Sequence, residues 1–340
     1  MYLSRNRRIQ KEGGFMSLRG KIQTLKGPVD PKSLGITLTH IHLTGHTPDW
    51  LKPTTWPGLT YFKADPDIGL PDPEKIVQEV KTFEKAGGQT LVEMTAIDWG
   101  RKIEPILHVA KQVKSHIIIT TGFNRGIFCE PWVHEYSEEK LSSLFVQEIT
   151  RGVEDTEYKA GIIKIPGSYN HIKPVERKII RAAARAHLET GAPISSHTDM
   201  GTMGLEQLKI LRDEGVDLSK VIIGHLDRCL DHYEHEEIAQ QGAYVEYDQL
   251  GKAKYCPDSA IIDSIIRLTK EGLGKQILLG LDYGRKSDLV AYDGGPGLGY
   301  ALTKFAPRLK MAAEAEGLKG DKVFDDVFIK NPAKALSFGV

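Results

Sequence analysis

"TLTHIHL", residues 37–43, is the stretch on which the reading of the whole chain turns. Side chains at i and i+2 of a strand share a face, so His40 and His42 emerge side by side behind a run of β-branched and aliphatic residues. The strand that carries them, "ITLTHIH" (36–42), has counterparts along the chain: "QTLVEMTA" (89–96), "HIIITTGF" (116–123), "AGIIKIPG" (160–167), "APISSHT" (192–198), "KVIIGHLD" (220–227), "AYVEYDQ" (243–249) and "ILLGLDYG" (277–284). Most are rich in Ile, Val, Leu and Thr, as expected for strands buried on both faces of a parallel sheet. Between them lie helical stretches. "DPEKIVQEVKTFEKAGG" (72–88) opens on an Asp-Pro N-cap and closes on a glycine pair, and 173–191 and 204–215 read similarly. Strands alternating with helices predict a single α/β domain, a (β/α)8 TIM barrel over residues 20–340. The rival, a doubly wound open sheet, calls for a GxGxxG after its first strand, and none stands there.

Composition narrows the function. Of 340 residues, 45 are Lys or Arg and 45 Asp or Glu, so the formal net charge is zero and no nucleic-acid partner is expected. No apolar run is long enough to span a bilayer, so no membrane partner is expected either. The basic run "SRNRRIQK" is followed by "EGGF" rather than an apolar segment, which argues against a signal peptide. Residues 1–19 read as an N-terminal extension, with Met16 an alternative start. Cys129, Cys229 and Cys256 form no CxxC; they read as buried small side chains in a reducing, cytoplasmic setting.

In a barrel, functional side chains gather at the C-terminal ends of the strands. Here the first strand ends in His40 and His42, the fourth carries Lys164, the fifth ends in His197, the sixth in His225 and the eighth in Asp282. Taken singly, a strand histidine is usually a core residue and a strand lysine usually snorkels to the surface. Six such residues at matching positions in barrel order argue for one shared site. Imidazole and carboxylate suit borderline divalent ions, zinc foremost, with manganese and cobalt also eligible. Four histidines and an aspartate exceed the needs of one tetrahedral catalytic ion, so two ions are expected, with an anion to bridge them. Burial drives a lysine toward the neutral amine, which combines with carbon dioxide to give a carbamate. Lys164 is therefore expected as N6-carboxylysine. The remaining eight histidines read as structural.

HxH on the first strand, lysine on the fourth, histidines on the fifth and sixth and aspartate on the eighth resemble the phosphotriesterase family of the amidohydrolase superfamily. "GIIKIPGS", "PISSHTD", "VIIGHLDR", "ILLGLDYGR" and "FIKNPAKALSF" carry the same resemblance. It implies that His40, His42 and Asp282 hold the more buried metal, that His197 and His225 hold the more exposed one, and that carboxylated Lys164 bridges them. It implies a hydrolase acting on small molecules: a lactonase, including the branch that opens phosphorylated furanose lactones, or a phosphotriesterase. It also allows a homodimer. "THIHLTGH" lacks the acid that relatives often place after the second histidine, and the loop after the eighth strand differs from that of long-chain lactonases.

The expected chemistry is attack on an ester-like carbonyl by a hydroxide bridging the metals, with Asp282 taking the proton and passing it to the leaving alkoxide. Lys252 and Lys254 after the seventh strand, with Arg285 after the eighth, suggest an anionic substrate such as a phosphorylated sugar lactone. "GGPG" (294–297) is expected to add backbone N–H groups to an anion cradle. A neutral phosphotriester would want an uncharged pocket, and a non-catalytic metal-binding barrel would have no need of the full ligand set.

Overall fold

The computed structural model describes residues 18–46 and 66–339. The reading of residues 1–17 as an extension lies outside these. Leu18 and Arg19 lie within them, and the chain there is pinned to the C-terminus: Arg19 pairs with Phe338, and Gly20 N–H donates to Phe338 O at 2.9 Å.

A short antiparallel hairpin comes first, β1 (Ile22–Thr24) and β2 (Gly27–Val29). The expected strands follow in order: β3 (Thr37–Ile41), β4 (Thr90–Glu93), β5 (His116–Gly122), β6 (Ile162–Ile165), β7 (Ile194–Ser196), β8 (Val221–Ile223), β9 (Tyr244–Tyr247) and β10 (Ile277–Leu279). Each of these pairs in parallel with its sequence neighbour. The ring closes where β10 meets β3, with Leu281 N–H and Asp282 N–H donating to His40 O (2.8 and 3.0 Å) and Thr39 Oγ1 donating to Leu279 O (3.0 Å). The fold is a TIM barrel.

The strand period sorts the apolar side chains into two cores. Val92, Ile118, Ile162, Ile222, Tyr244 and Leu278 meet inside the barrel, with Ile22 of the hairpin and Leu336 of the C-terminal segment packed against them as a floor. Their strand neighbours Leu91, Ile117, Ile163, Val221, Val245 and Ile277 face outward to the helices. Two residues along their strands from that inner layer come Lys164, Glu246 and Gly280, so the polar mouth sits directly above an apolar plug.

Helix Pro73–Lys85 shows how the outer layer forms. Asp72 accepts from the N–H groups of Glu74 and Lys75, Pro73 occupies the first helical position, and Ile76, Val77, Val80 and Phe83 make the buried stripe. Of the cysteines, Cys129 and Cys256 are buried as expected, but Cys229 is exposed, because the turn after β8 carries it out of the barrel wall. Among the described residues no helix is long and apolar enough to cross a membrane.

Candidate active site

The six residues read from the strand ends meet at one mouth. His42 Nε2 lies 3.1 Å from Asp282 Oδ1, and His40 Nε2 lies 3.6 Å from the same oxygen and 3.5 Å from Lys164 Nζ. On the other side His225 Nε2 lies 2.9 Å from His197 Nδ1, and His225 Nδ1 reaches to 4.0 Å from Asp282 Oδ2. His225 (φ 60°) and Asp282 (φ 46°) sit in the left-handed region, which non-glycine residues rarely adopt. Backbone held there at a site is paid for by surrounding contacts. For His225 these are Asp248, which accepts from its N–H at 3.1 Å, and Asp282 is held by its own N–H to His40 O.

Asp248 on the strand-seven end ties the two halves together. Its Oδ2 accepts from His40 Nδ1 at 3.0 Å and its Oδ1 from His225 Nδ1 at 2.8 Å. Both imidazoles therefore turn their Nε2 atoms inward. Glu246 adds a second carboxylate at 3.3 Å from His40 Nδ1. Burial and the Lys164 ammonium work to lower the His40 imidazole, but Asp248 and Glu246 outweigh them and raise it to about 9. For His42 burial, helped by His40 and Lys164, outweighs Asp282 and lowers it to about 4. His197, buried and beside His225, Arg125 and Lys164, is held well below its ordinary value. Burial works to raise the Asp282 carboxyl, yet Lys252, His225, His42 and His40 keep it well below the usual carboxylate range.

Lys164 is fully buried, and no carboxylate lies within ion-pair distance of it among the described residues. Burial pushes its amine down, against the more distant pull of Glu246, Asp248 and Asp282. These observations fit a metal site. One ligand atom each from His40, His42 and Asp282 lies within 4.8 Å of the others. His197 Nε2 is buried with no hydrogen-bond partner, a donor atom whose solvation cost nothing on the protein offsets.

The cavity above these residues is about 320 Å³. Trp99, Phe128 and Tyr255 line it, together with the cations Arg125, Arg228, Lys252 and Arg285. Of the residues expected to contact substrate, Lys252 and Arg285 line the cavity. Lys254 does not: it is exposed and lies over the Tyr255 ring. The expected "GGPG" cradle is also corrected. The N–H groups of Gly294, Gly295 and Gly297 are spent on Leu289 O, Ser287 O and Asp288 O, while Leu298 N–H and Ala291 N–H donate to Glu79. A carboxylate of the protein itself already takes the anion's place there.

Sequence reasoning missed Asp248, Glu246 and Gln249, which donates to Asp282 Oδ2 at 2.8 Å. The signal was present in "AYVEYDQ", where Glu246 and Asp248 repeat the i, i+2 spacing of the two histidines. Arg125 and Arg228 were missed as well, since one follows "TGFN" as a loop residue and the other lies three residues beyond His225.

A closed parallel barrel with an imidazole, carboxylate and lysine cluster at its C-terminal mouth is an arrangement that could hold metal. The chain belongs to the phosphotriesterase family, which it matches over residues 20–336. Its fold is similar to that of the lactonase Lmo2620 from Listeria monocytogenes (TM-score 0.88, 38% identity, 94% of this chain and all of that one). It is 30% identical to phospho-furanose lactonase of Mycoplasmopsis synoviae (strain 53), over 93% of this chain and 91% of the relative. It is 31% identical to human N-acetyltaurine hydrolase, over 95% of this chain and 99% of the relative.

Proposed function

We propose that this protein is a binuclear metal-dependent hydrolase that opens the ring of a small anionic lactone, a phosphorylated sugar lactone being the substrate that suits it best. The observation that carries the reading is a small cavity onto which His42, His197, His225 and Asp282 of the ligand set open, with four cations, Arg125, Arg228, Lys252 and Arg285, against the two further carboxylates Asp199 and Asp288 in its wall. His40, His42 and Asp282 would hold one ion, His197 and His225 the other, and Lys164, as its carbamate, would bridge them. Zinc is the expected metal, with manganese or cobalt as substitutes. When bound, the pair supplies Lewis acidity and a water acidic enough to serve as nucleophile near neutral pH.

The chain's own residues do the rest. Asp282 is the carboxylate of the set that lines the cavity, and its low pKa keeps it ionised, so it would hold the attacking water's proton only in passing and give it up readily. Gln249 and Lys252 fix its Oδ2, so the proton it takes is delivered on the cavity side to the leaving alkoxide. Trp99 and Phe128 form an apolar wall that limits water around the reacting carbonyl.

A second reading is hydrolysis of an N-acyl aminosulfonate. It is favoured by the near full-length similarity to N-acetyltaurine hydrolase, whose substrate also pairs a carboxylic acid derivative with a strong anion. A neutral phosphotriester suits the cation-lined wall poorly. The test is a rate screen of the metal-loaded protein against plain lactones, phosphorylated sugar lactones, N-acyl aminosulfonates and phosphotriesters. Fastest turnover of phosphorylated lactones is expected. Fastest turnover of neutral triesters would overturn the proposal, as would a protein that binds metal and hydrolyses none of them.

A further inference from the structure

Among the described residues, Asn124 is the one carboxamide that lines the cavity. Most other polar side chains of that lining are engaged by the protein itself. His42 contacts Thr95 and Asp282, His197 contacts His225, Arg125 pairs with Asp199, and Lys252 stands between Asp282 and Asp288. The Asn124 side chain is half-buried, yet it makes no hydrogen bond among the described residues.

Its backbone, by contrast, is fixed. The buried carboxylate of Asp98 accepts from Asn124 N–H at 2.6 Å and from Arg125 N–H at 2.9 Å. Asp98 directly precedes Trp99, so one carboxylate ties the loop carrying Trp99 to the loop carrying Asn124 and Phe128. The Trp99 and Phe128 rings then meet with centroids 5.1 Å apart. A carboxamide rooted beside an aromatic wall, with its acceptor and both donors unpaired, is free to hydrogen-bond a ligand that enters the cavity.

Its place on the ring says which part of the ligand it meets. Gly122 pairs in register with Lys164, and Phe123 N–H donates to Lys164 O at 3.0 Å. On the other side of β6, His197 N–H donates to Ile165 O at 2.8 Å. Asn124 therefore leaves the barrel wall next to the Lys164 strand end, one strand further from His197, and across the ring from the loop after β9. From there it meets a group close to the reacting carbonyl rather than the far end of the substrate. In a sugar lactone the carbon bonded to the carbonyl bears a hydroxyl, which donates and accepts as a carboxamide does.

We infer that Asn124 is a specificity-determining residue of this site, hydrogen-bonding the hydroxyl on the carbon next to the lactone carbonyl. This rests on the lactone reading proposed above. It concerns the neutral part of the substrate and says how the site tells a sugar lactone from a plain one of the same ring size.

The test compares kcat/KM of the metal-loaded protein on a sugar lactone and its 2-deoxy counterpart, each with and without phosphate. The wild type is expected to favour the hydroxylated member by about 10-fold, the size of one neutral hydrogen bond. Asn124→Leu, which keeps the bulk and removes both polar atoms, should bring that ratio close to one, mainly through KM. Asn124→Ser, whose hydroxyl also donates and accepts, should restore part of it. Metal content and melting temperature of Asn124→Leu should match the wild type, because the side chain holds nothing in the protein. A large fall in either would show that Asn124 serves the fold, and would overturn the assignment. Hydrolysis of none of the four lactones by protein that keeps its metal overturns the lactone reading and this inference together. Hydrolysis without a hydroxyl preference in the wild type, or with a preference that survives in Asn124→Leu, overturns the assignment to Asn124 and leaves the lactone reading standing.

Discussion

At the scale of single residues, Asp248 and Lys164 carry unequal loads. Asp248 touches no solvent, is held well below the ordinary carboxylate range by His225 and His40 against the cost of burial, and orients imidazoles from opposite sides of the ring. Partners that orient ligating imidazoles are typically worth about 10- to 100-fold in metal affinity. Asp248→Asn keeps the shape but can accept on one atom only, so metal affinity should fall by about that factor in a chelator competition. Lys164→Ala should do more. Without the amine no carbamate can form, so metal content should drop and activity should fall by at least about 100-fold, with partial recovery in millimolar acetate or propionate. Full activity in Lys164→Ala would remove the bridge from the proposal. The two variants differ in kind, because added carboxylate can replace a missing bridge but cannot re-aim His40 and His225.

At the scale of elements, the strands and their order were legible because each is a compact Ile/Val/Leu/Thr run bounded by turn residues, and the polar residue closing each run marked the mouth. The hairpin β1–β2 was not legible: "IQT" and "GPV" are too short for a period to show, and they hold together by sealing the barrel floor. The loop after β10 misled for a related reason. Its glycines resemble an anion cradle, but the carboxylate that meets the neighbouring N–H groups comes from Glu79, more than 200 positions earlier on helix Pro73–Lys85. Glu79 is buried and accepts from Ala291 N–H at 2.6 Å and Leu298 N–H at 3.0 Å. Glu79→Ala strands two donors, so urea denaturation should show a loss of about 2–4 kcal/mol. Glu79→Gln, which keeps one acceptor, should lose less. Equal stability in all three proteins would mean that this loop is held by its own turns alone.

At the scale of the whole molecule, the site sets how the metal-free fold responds to pH. His40 is raised to about 9 when folded and returns to about 6.5 when the chain unfolds. Between those values the folded state holds a proton the unfolded state has lost, so stability falls as pH rises through that window and is fully present below it. His42, lowered to about 4, acts in the opposite sense: the unfolded chain binds the extra proton, and stability rises with pH from about 4 to about 6.5. With chelator present, the melting temperature should therefore peak near pH 6.5 and decline toward pH 9. Bound metal reverses the alkaline limb, because the ions displace the His40 proton and bind more tightly as protons grow scarce. Thermal melts of chelated and zinc-loaded protein at pH 6, 7, 8 and 9 should thus diverge progressively. Asp248→Asn, by removing the main carboxylate on His40, should flatten the chelated curve. A chelated wild type with a level melting temperature across this range would mean that His40 is neutral in the folded protein, and that Asp248 and Glu246 do not govern it.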